Sequence, residues 1–382
     1  MPENQLQEAK TIMNPAALAG EWILSSGIQS EKGPFYSWYD LDKKRYPYIY
    51  SEITGYGITT LLFLYKLSGE NKLVKKAKLA AQWIIENALD DSGGVKARLY
   101  GDECLAESHY SFEDGNIFSF DTGMVLYALI NLYKVTGENL YLEKSKAIAA
   151  FLLDTMLQRD GSMAAIFNSG SKKGIESYDK WSNQPGAFHA KVSLGLVDLF
   201  EVTRDGRHKE AALELCDFAI GLQEASSGRF ITNKSDNTTH LHPHSYAIEG
   251  LWYAGVNFGV SRFIDSARRA TKWMLHQASG SGLNELYNPS SGKFNDFQRS
   301  DILAQALRLA LLFGIKDRQE ELKVALLQYQ YRQEETVQEG GLFFSKDSRH
   351  LNSWCTMFAL QALKLADNKE LLPEGKKLEL FI

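Results

Sequence analysis

The segment Leu64-Tyr65-Lys66-Leu67-Ser68-Gly69-Glu70-Asn71 returns as Leu132-Tyr133-Lys134-Val135-Thr136-Gly137-Glu138-Asn139. A weaker third copy reads Leu199-Phe200-Glu201-Val202-Thr203-Arg204-Asp205-Gly206. Each copy follows an apolar run and precedes an amphipathic one. Its glycine is where a helix should end, since glycine tolerates the left-handed conformation. The preceding run is apolar nearly all round, as in Met124, Val125, Leu126, Ala128, Leu129 and Ile130, so that helix is buried on several sides. The following run has a stripe. Leu73, Val74, Ala77, Ala81 and Ile84 share one face, and Lys72, Lys75, Lys76 and Lys78 occupy a solvated one. The alternation predicts inner helices beginning near Ser51, Asp121, Ala187, Ser245, Ser300 and Asn352. It predicts outer helices beginning near Asn14, Asn71, Asn139, Gly206, Ser261 and Asp317. The first outer helix can pair with the last inner one and close a ring.

A second repeat gives the same count. Glycine followed by a large apolar residue recurs at Gly33/Phe35, Gly94/Val95, Gly161/Met163, Gly228/Phe230, Gly282/Leu283 and Gly341/Leu342. These six sites read as extended turns that return the chain to the next inner helix. The fold class is therefore all-α, an (α/α)6 barrel or six-hairpin toroid, with residues 1–382 as a single domain. Length alone would suggest several domains, but a ring of repeats can grow large around one core.

Composition excludes several partners. The formal net charge is -5 without a basic tract, so no nucleic acid is expected. No apolar stretch is long enough to span a bilayer, so no membrane span is expected. The first residues lack a secretory pattern, and Cys104, Cys216 and Cys355 lie far apart without metal spacing. A cytoplasmic chain with free thiols and no cofactor is the simplest reading. Oligomeric state is open.

Parallel inner helices would gather their N-termini at one end, where the long loops Ser92–Phe120 and Arg159–Gly186 also lie. Long loops in compact folds are usually functional, and helix N-termini favour anions. The candidate catalytic residues there are Asp121, Glu52, His244 and Tyr246. The candidate substrate-binding residues are Arg299, His189, His242, Trp38, Trp181, Trp354, Tyr50 and Asp301. Carboxyls, imidazoles and tyrosines serve acid–base chemistry on a sugar, and tryptophans offer flat faces. Lys191 and Arg299 are expected at the mouth as positive charges. Plainer roles compete: Asp121 can cap its helix, and Glu52 can simply face the dipole. His240, His242 and His244 alternate as a metal-binding strand would, but lack a matching carboxylate or cysteine set, so no metal is assigned.

The segments Phe120-Asp121-Thr122-Gly123-Met124, Phe188-His189-Ala190-Lys191-Val192, His242-Pro243-His244-Ser245-Tyr246-Ala247-Ile248-Glu249-Gly250 and Asn352-Ser353-Trp354 resemble the six-hairpin glycosidase superfamily. More closely they resemble a polysaccharide-biosynthesis family with tangential similarity to the C-terminal part of glucuronyl 5-epimerases. The resemblance implies an enzyme on an acidic, uronate-containing oligosaccharide or polysaccharide, of glycoside hydrolase type. The alternatives are a uronate 5-epimerase or lyase, and a non-catalytic glycan-binding or assembly protein. Two carboxyls facing each other would favour hydrolysis. A tyrosine or histidine base, with Arg299 neutralising the uronate, would favour epimerisation or elimination. Terpene cyclase acid clusters and a prenyltransferase-type zinc set are missing from the sequence.

Overall fold

The computed structural model describes residues 14–101, 108–175, 177, 179–278, 282–334, 336–372 and 378–382. Among them are twelve α-helices: α1 (Pro15–Ser25), α2 (Ser51–Ser68), α3 (Asn71–Trp83), α4 (Ser119–Thr136), α5 (Asn139–Phe151), α6 (Ser193–Thr203), α7 (Gly206–Gly221), α8 (Leu241–Phe258), α9 (Ser261–His276), α10 (Ser300–Leu312), α11 (Gln319–Leu327) and α12 (Ser353–Asp367). The even-numbered helices pack side by side in the order α2, α4, α6, α8, α10, α12, and α12 returns to α2. Each odd-numbered helix covers this ring from outside, with α1 lying on α12. The chain is thus an (α/α)6 barrel, closed between its first and last helices.

The repeated motif works as its glycine requires. Gly69 and Gly137 end α2 and α4 at φ 72 and 71°. In the third copy Arg204 takes that left-handed place at φ 60°, which explains why the copy is weak in sequence yet equivalent in structure.

Two helix starts differ from expectation. α8 begins at Leu241 rather than Ser245, which puts His242 and His244 in its first turn. The third inner segment opens as a 3-10 turn, Ala187–Val192, before α6. α8 crosses this turn closely at Gly250, where a Cβ would lie 2.1 Å from the Ala190 carbonyl.

Short antiparallel strands stitch the loops at the inner N-termini. Tyr48–Tyr50 pairs with Arg98–Tyr100, Asn116–Phe118 with Ile166–Asn168, and Thr239–His240 with Leu286–Asn288. Trp38–Asp40 pairs with His350–Asn352 and so joins the two ends of the ring. The first N–H of each of five inner helices goes to a loop carbonyl: Ser51 to Ala97, Ser119 to Ala165, Leu241 to Glu285, Ser300 to Phe344 and Ser353 to Ser37. These bonds consume donors that a helix start otherwise leaves free.

The glycine–apolar turns are anchored by a second device. Phe35, Val95, Met163, Phe230, Leu283 and Leu342 are all buried. The backbone N–H of Phe35 donates to Thr54 Oγ1 at 3.0 Å, that of Val95 to Thr122 at 3.1 Å and that of Leu342 to Thr356 at 2.9 Å. Each threonine is the fourth residue of its inner helix. At the far end of the barrel the last described residues fill the axis. Phe381 N–H donates to the Tyr127 hydroxyl, and Ile382 N–H to Gln361 Oε1.

Candidate functional site

A cleft of about 190 Å³ opens at the N-terminal ends of the inner helices. Tyr50, Glu52, Asp121, Trp181, His242, Tyr246, Arg299 and Trp354, all singled out in the sequence, line it. Arg98, Tyr110, Phe118, Phe120 and Ser182 line it too and were not anticipated. Arg98 stands directly across the strand pair from Tyr50. Its guanidinium lies 4.1 Å from the Tyr110 ring centre and 4.9 Å from those of Tyr48 and Tyr50. The only signal for it was its place in the long loop after Ser92.

The cleft has an acidic side and a histidine side. Glu52 lies in the first turn of α2 and Asp121 in that of α4, so neighbouring helices present two carboxyls to one space. Tyr50 sits between them; its hydroxyl donates to Asp121 Oδ1 across a long 3.5 Å. Asp121 Oδ2 is buried and has no hydrogen-bond partner among the described residues. Burial, and then the charge of Glu52, hold the Asp121 carboxyl well above the usual carboxylate range. Burial also raises Glu52, but the Tyr50 hydroxyl, Lys191 and Arg98 oppose it. Two such groups titrate as a pair, and the proton shared between them resides on Asp121.

Across the ring, α8 and α10 supply the other side. His242 Nδ1 lies 2.9 Å from Gln305 Oε1 and 3.2 Å from Asp301 Oδ2. Both are acceptors, so Nδ1 carries the proton and Nε2 keeps its lone pair. Burial pushes the His242 imidazole down to about 4, so it is neutral at pH 7. Asp301 does not line the cleft; it is fully buried behind His242 and takes bonds from Arg299 Nε at 3.1 Å and Trp354 Nε1 at 3.0 Å. Burial alone would raise Asp301, but Arg299 and His242 hold it below the usual range. Arg299 also donates to Glu285 at 2.8 Å. Its charge is therefore met by two carboxylates of the protein itself.

Four more expected residues lie elsewhere. His244 is the fourth residue of α8, the place threonine holds in α2, α4 and α12. It is buried under α9: Nδ1 accepts the Phe230 N–H at 3.2 Å and Nε2 donates to the Ala270 carbonyl at 3.3 Å. With both ring nitrogens used inside the fold, it cannot serve as the base expected of it. His189 is likewise buried, between the Gly186 N–H and the Ser119 hydroxyl. Burial lowers both imidazoles to about 3. Trp38 stacks on His350 at 5.0 Å, outside the lining of the cleft. Lys191, expected at the mouth, is fully buried and ion-paired with Glu249 at 2.8 Å.

Among the described residues no three His, Cys, Asp or Glu side chains are grouped to hold a metal ion. No helix among them is long and apolar enough to cross a membrane. Cys216 and Cys355 are buried free thiols; Cys104 lies outside the described residues.

No family model and no curated protein matches the chain. Solved structures do. A cellobiose 2-epimerase from Bacillus thermoamylovorans B4167 is 14% identical, with 92% of this chain and 98% of that one covered and a TM-score of 0.71. A D-mannose isomerase is 13% identical over 95% and 100% of the two chains, at 0.73. An alpha-1,6-mannanase from Salegentibacter sp. HEL1_6 is 11% identical over 92% and 98%, at 0.60. At these identities the likeness is one of fold. The (α/α)6 barrel implied by the six-hairpin resemblance is the architecture this chain adopts over nearly its whole length.

Proposed function

We propose that the chain is a carbohydrate-active enzyme of glycoside hydrolase type. Asp121 gives its proton to the glycosidic oxygen as the bond from that oxygen to the anomeric carbon breaks. A water oxygen bonds to the anomeric carbon, and its proton passes to the ionised Glu52. The observation that carries this is the carboxyl pair from α2 and α4 that lines the cleft, with Asp121 Oδ2 unpartnered among the described residues. Environments that push two carboxyls apart mark the acid and the base. Phe120, Trp181, Tyr246 and Trp354 offer apolar faces for a sugar ring. The small cleft suits a chain end or single sugar unit; pockets that enclose larger ligands run to roughly 300–1,000 Å³. The sugar-acting names of the structural neighbours support the substrate class.

The uronate preference expected from the sequence has lost its main support, because Arg299 is already paired with Asp301 and Glu285. In our reading the ligand is a neutral sugar. A second reading, proton transfer at a sugar carbon as in epimerisation, is favoured by one observation: Asp301 orients His242 so that Nε2 is a free base on the side opposite the acid pair. A silent glycan-binding protein has no use for a convergent carboxyl pair.

The test is a panel of neutral and uronate oligosaccharides in deuterium oxide, followed by mass spectrometry. Cleavage without carbon-bound deuterium, lost in Asp121→Asn, is expected. Deuterium uptake without cleavage, lost in His242→Asn, would replace hydrolysis by epimerisation. Binding without either would leave a lectin-like role.

A further inference from the structure

Beneath the cleft floor a line of charged side chains runs down the barrel axis. Lys191, from the 3-10 turn before α6, is completely buried. Its ammonium has three donors, yet beyond the Glu249 ion pair it finds no acceptor in hydrogen-bonding geometry among the described residues. Aromatic faces surround it instead: Tyr246 at 4.4 Å, Tyr56 at 5.0 Å and Phe358 at 5.2 Å. Glu249 in turn bonds Arg308. A desolvated ammonium over ring faces keeps a field that water would otherwise screen.

The two tyrosines connect this charge to the acid pair. Tyr56 follows Glu52 by one helical turn on α2. Its hydroxyl meets that of Tyr246 at 3.2 Å, and Tyr246 lines the cleft beside Glu52 and Asp121. We propose that Lys191 is a positioning residue, whose buried ammonium keeps Glu52 ionised through this tyrosine floor and so leaves the shared proton on Asp121. This rests on the proposed roles of Glu52 and Asp121. A purely structural Lys191–Glu249 pair would need no such path; burying an ion pair is seldom a gain in stability by itself.

Tyr56 from α2 and Tyr246 and Glu249 from α8 contact Lys191 directly, and Glu52 from α2, His242 from α8 and Arg308 from α10 interact with it electrostatically. Facing Glu52 are Tyr50, Arg98 and Asp121 on the other side. Of these, Arg98 and Lys191 are the cations that stabilise its ionised form.

The experiment needs no substrate, so it stands apart from the hydrolase reading. Side-chain carboxyl carbons and the lysine Nζ are titrated by nuclear magnetic resonance in the wild type, Lys191→Met, Lys191→Arg and Glu52→Gln. Lys191→Met is expected to raise the titration of Glu52 by roughly 1 unit or more, as loss of a nearby opposite charge does. Lys191→Arg, which keeps the charge, should restore it. Because coupling between two sites is reciprocal, Glu52→Gln should lower the titration of Lys191. That variant changes one polar group at the cleft and decides the matter even if Lys191→Met does not fold. An unchanged Lys191 in Glu52→Gln, or an unchanged Glu52 in a folded Lys191→Met, overturns the proposal.

Discussion

His244 accepts the backbone N–H of Phe230 at 3.2 Å, and in doing so it makes the bond that Thr122 makes to Val95 at 3.1 Å. One place in the repeat is filled by two side-chain types for one purpose. The sequence presents His244 as chemistry because it sits in a run of histidines; the barrel uses it to hold a turn.

His244→Ala should therefore cost stability rather than catalysis. It orphans the buried Phe230 N–H, worth about 1–3 kcal/mol, and leaves a cavity under Trp273, which packs 5.2 Å from the imidazole. His244→Thr supplies the acceptor used elsewhere and should lose less. Urea denaturation at pH 7 checks both. A folded, fully stable His244→Ala protein without activity would return the residue to the reaction.

A second prediction concerns rising pH. Asp121 and Glu52 have folded values raised above those of an unfolded chain. Their contribution to stability is complete below the ordinary carboxylate range and is lost as pH rises through the raised values. Asp121→Asn cannot ionise, so its melting temperature should gain on the wild type as pH goes from 4 to 8. Parallel curves for the two proteins would mean that Asp121 is not held neutral.

The acid side has the opposite sign. His189, His242 and His244 are lowered to about 3, 4 and 3 by burial. Their contribution is complete above the ordinary histidine value of about 6.5 and is lost as pH falls towards those numbers. Proton uptake on acid unfolding, measured by titration calorimetry near pH 5, should fall by about one proton in His244→Thr. Unchanged uptake would mean that His244 is not buried neutral.

The ring was legible because glycine stops and all-round apolar helices recur; periodicity is a local property that sequence carries. The acid pair was legible for the same reason: Glu52 and Asp121 each sit at a repeat-defined helix start. What sequence could not carry was pairing across space. Arg98 reaches the cleft only because its strand meets Tyr50, and Arg299 loses its free charge only because Glu285 and Asp301 converge on it. α8 starts four residues before Ser245, and Pro243 is tolerated in its first turn, where its missing N–H has no partner to lose.

The last prediction reverses the charge preference that the sequence suggests. Six helix N-termini at one mouth favour an anion when their donors are free, by roughly 0.3–1 kcal/mol each. Here the first donors of five inner helices are spent on loop carbonyls. Three of those helix starts also already hold Glu52, Asp121 and Asp301. Around the cleft the acid pair carries one negative charge while it shares a proton, and Asp301 and Glu285 carry one each. Arg98 and Arg299 return two positive charges, and His242 is neutral. One negative charge remains among the groups at the cleft wall, so a uronate meets repulsion there where a neutral sugar does not. Matched glucose and glucuronate oligomers titrated calorimetrically at pH 7 should show the neutral series binding at least as tightly. Lowering the pH should help the uronates selectively, because Glu52, raised by burial, takes up the second proton of the acid pair before an ordinary carboxylate does. Arg299→Ala should weaken both series alike, since it strips the buried Asp301 of its partner, at a cost of about 3–5 kcal/mol in stability. A uronate series bound tenfold tighter at pH 7, about 1.4 kcal/mol, with that margin removed by Arg299→Ala, would restore the acidic ligand and show that Arg299 leaves its carboxylates to meet it.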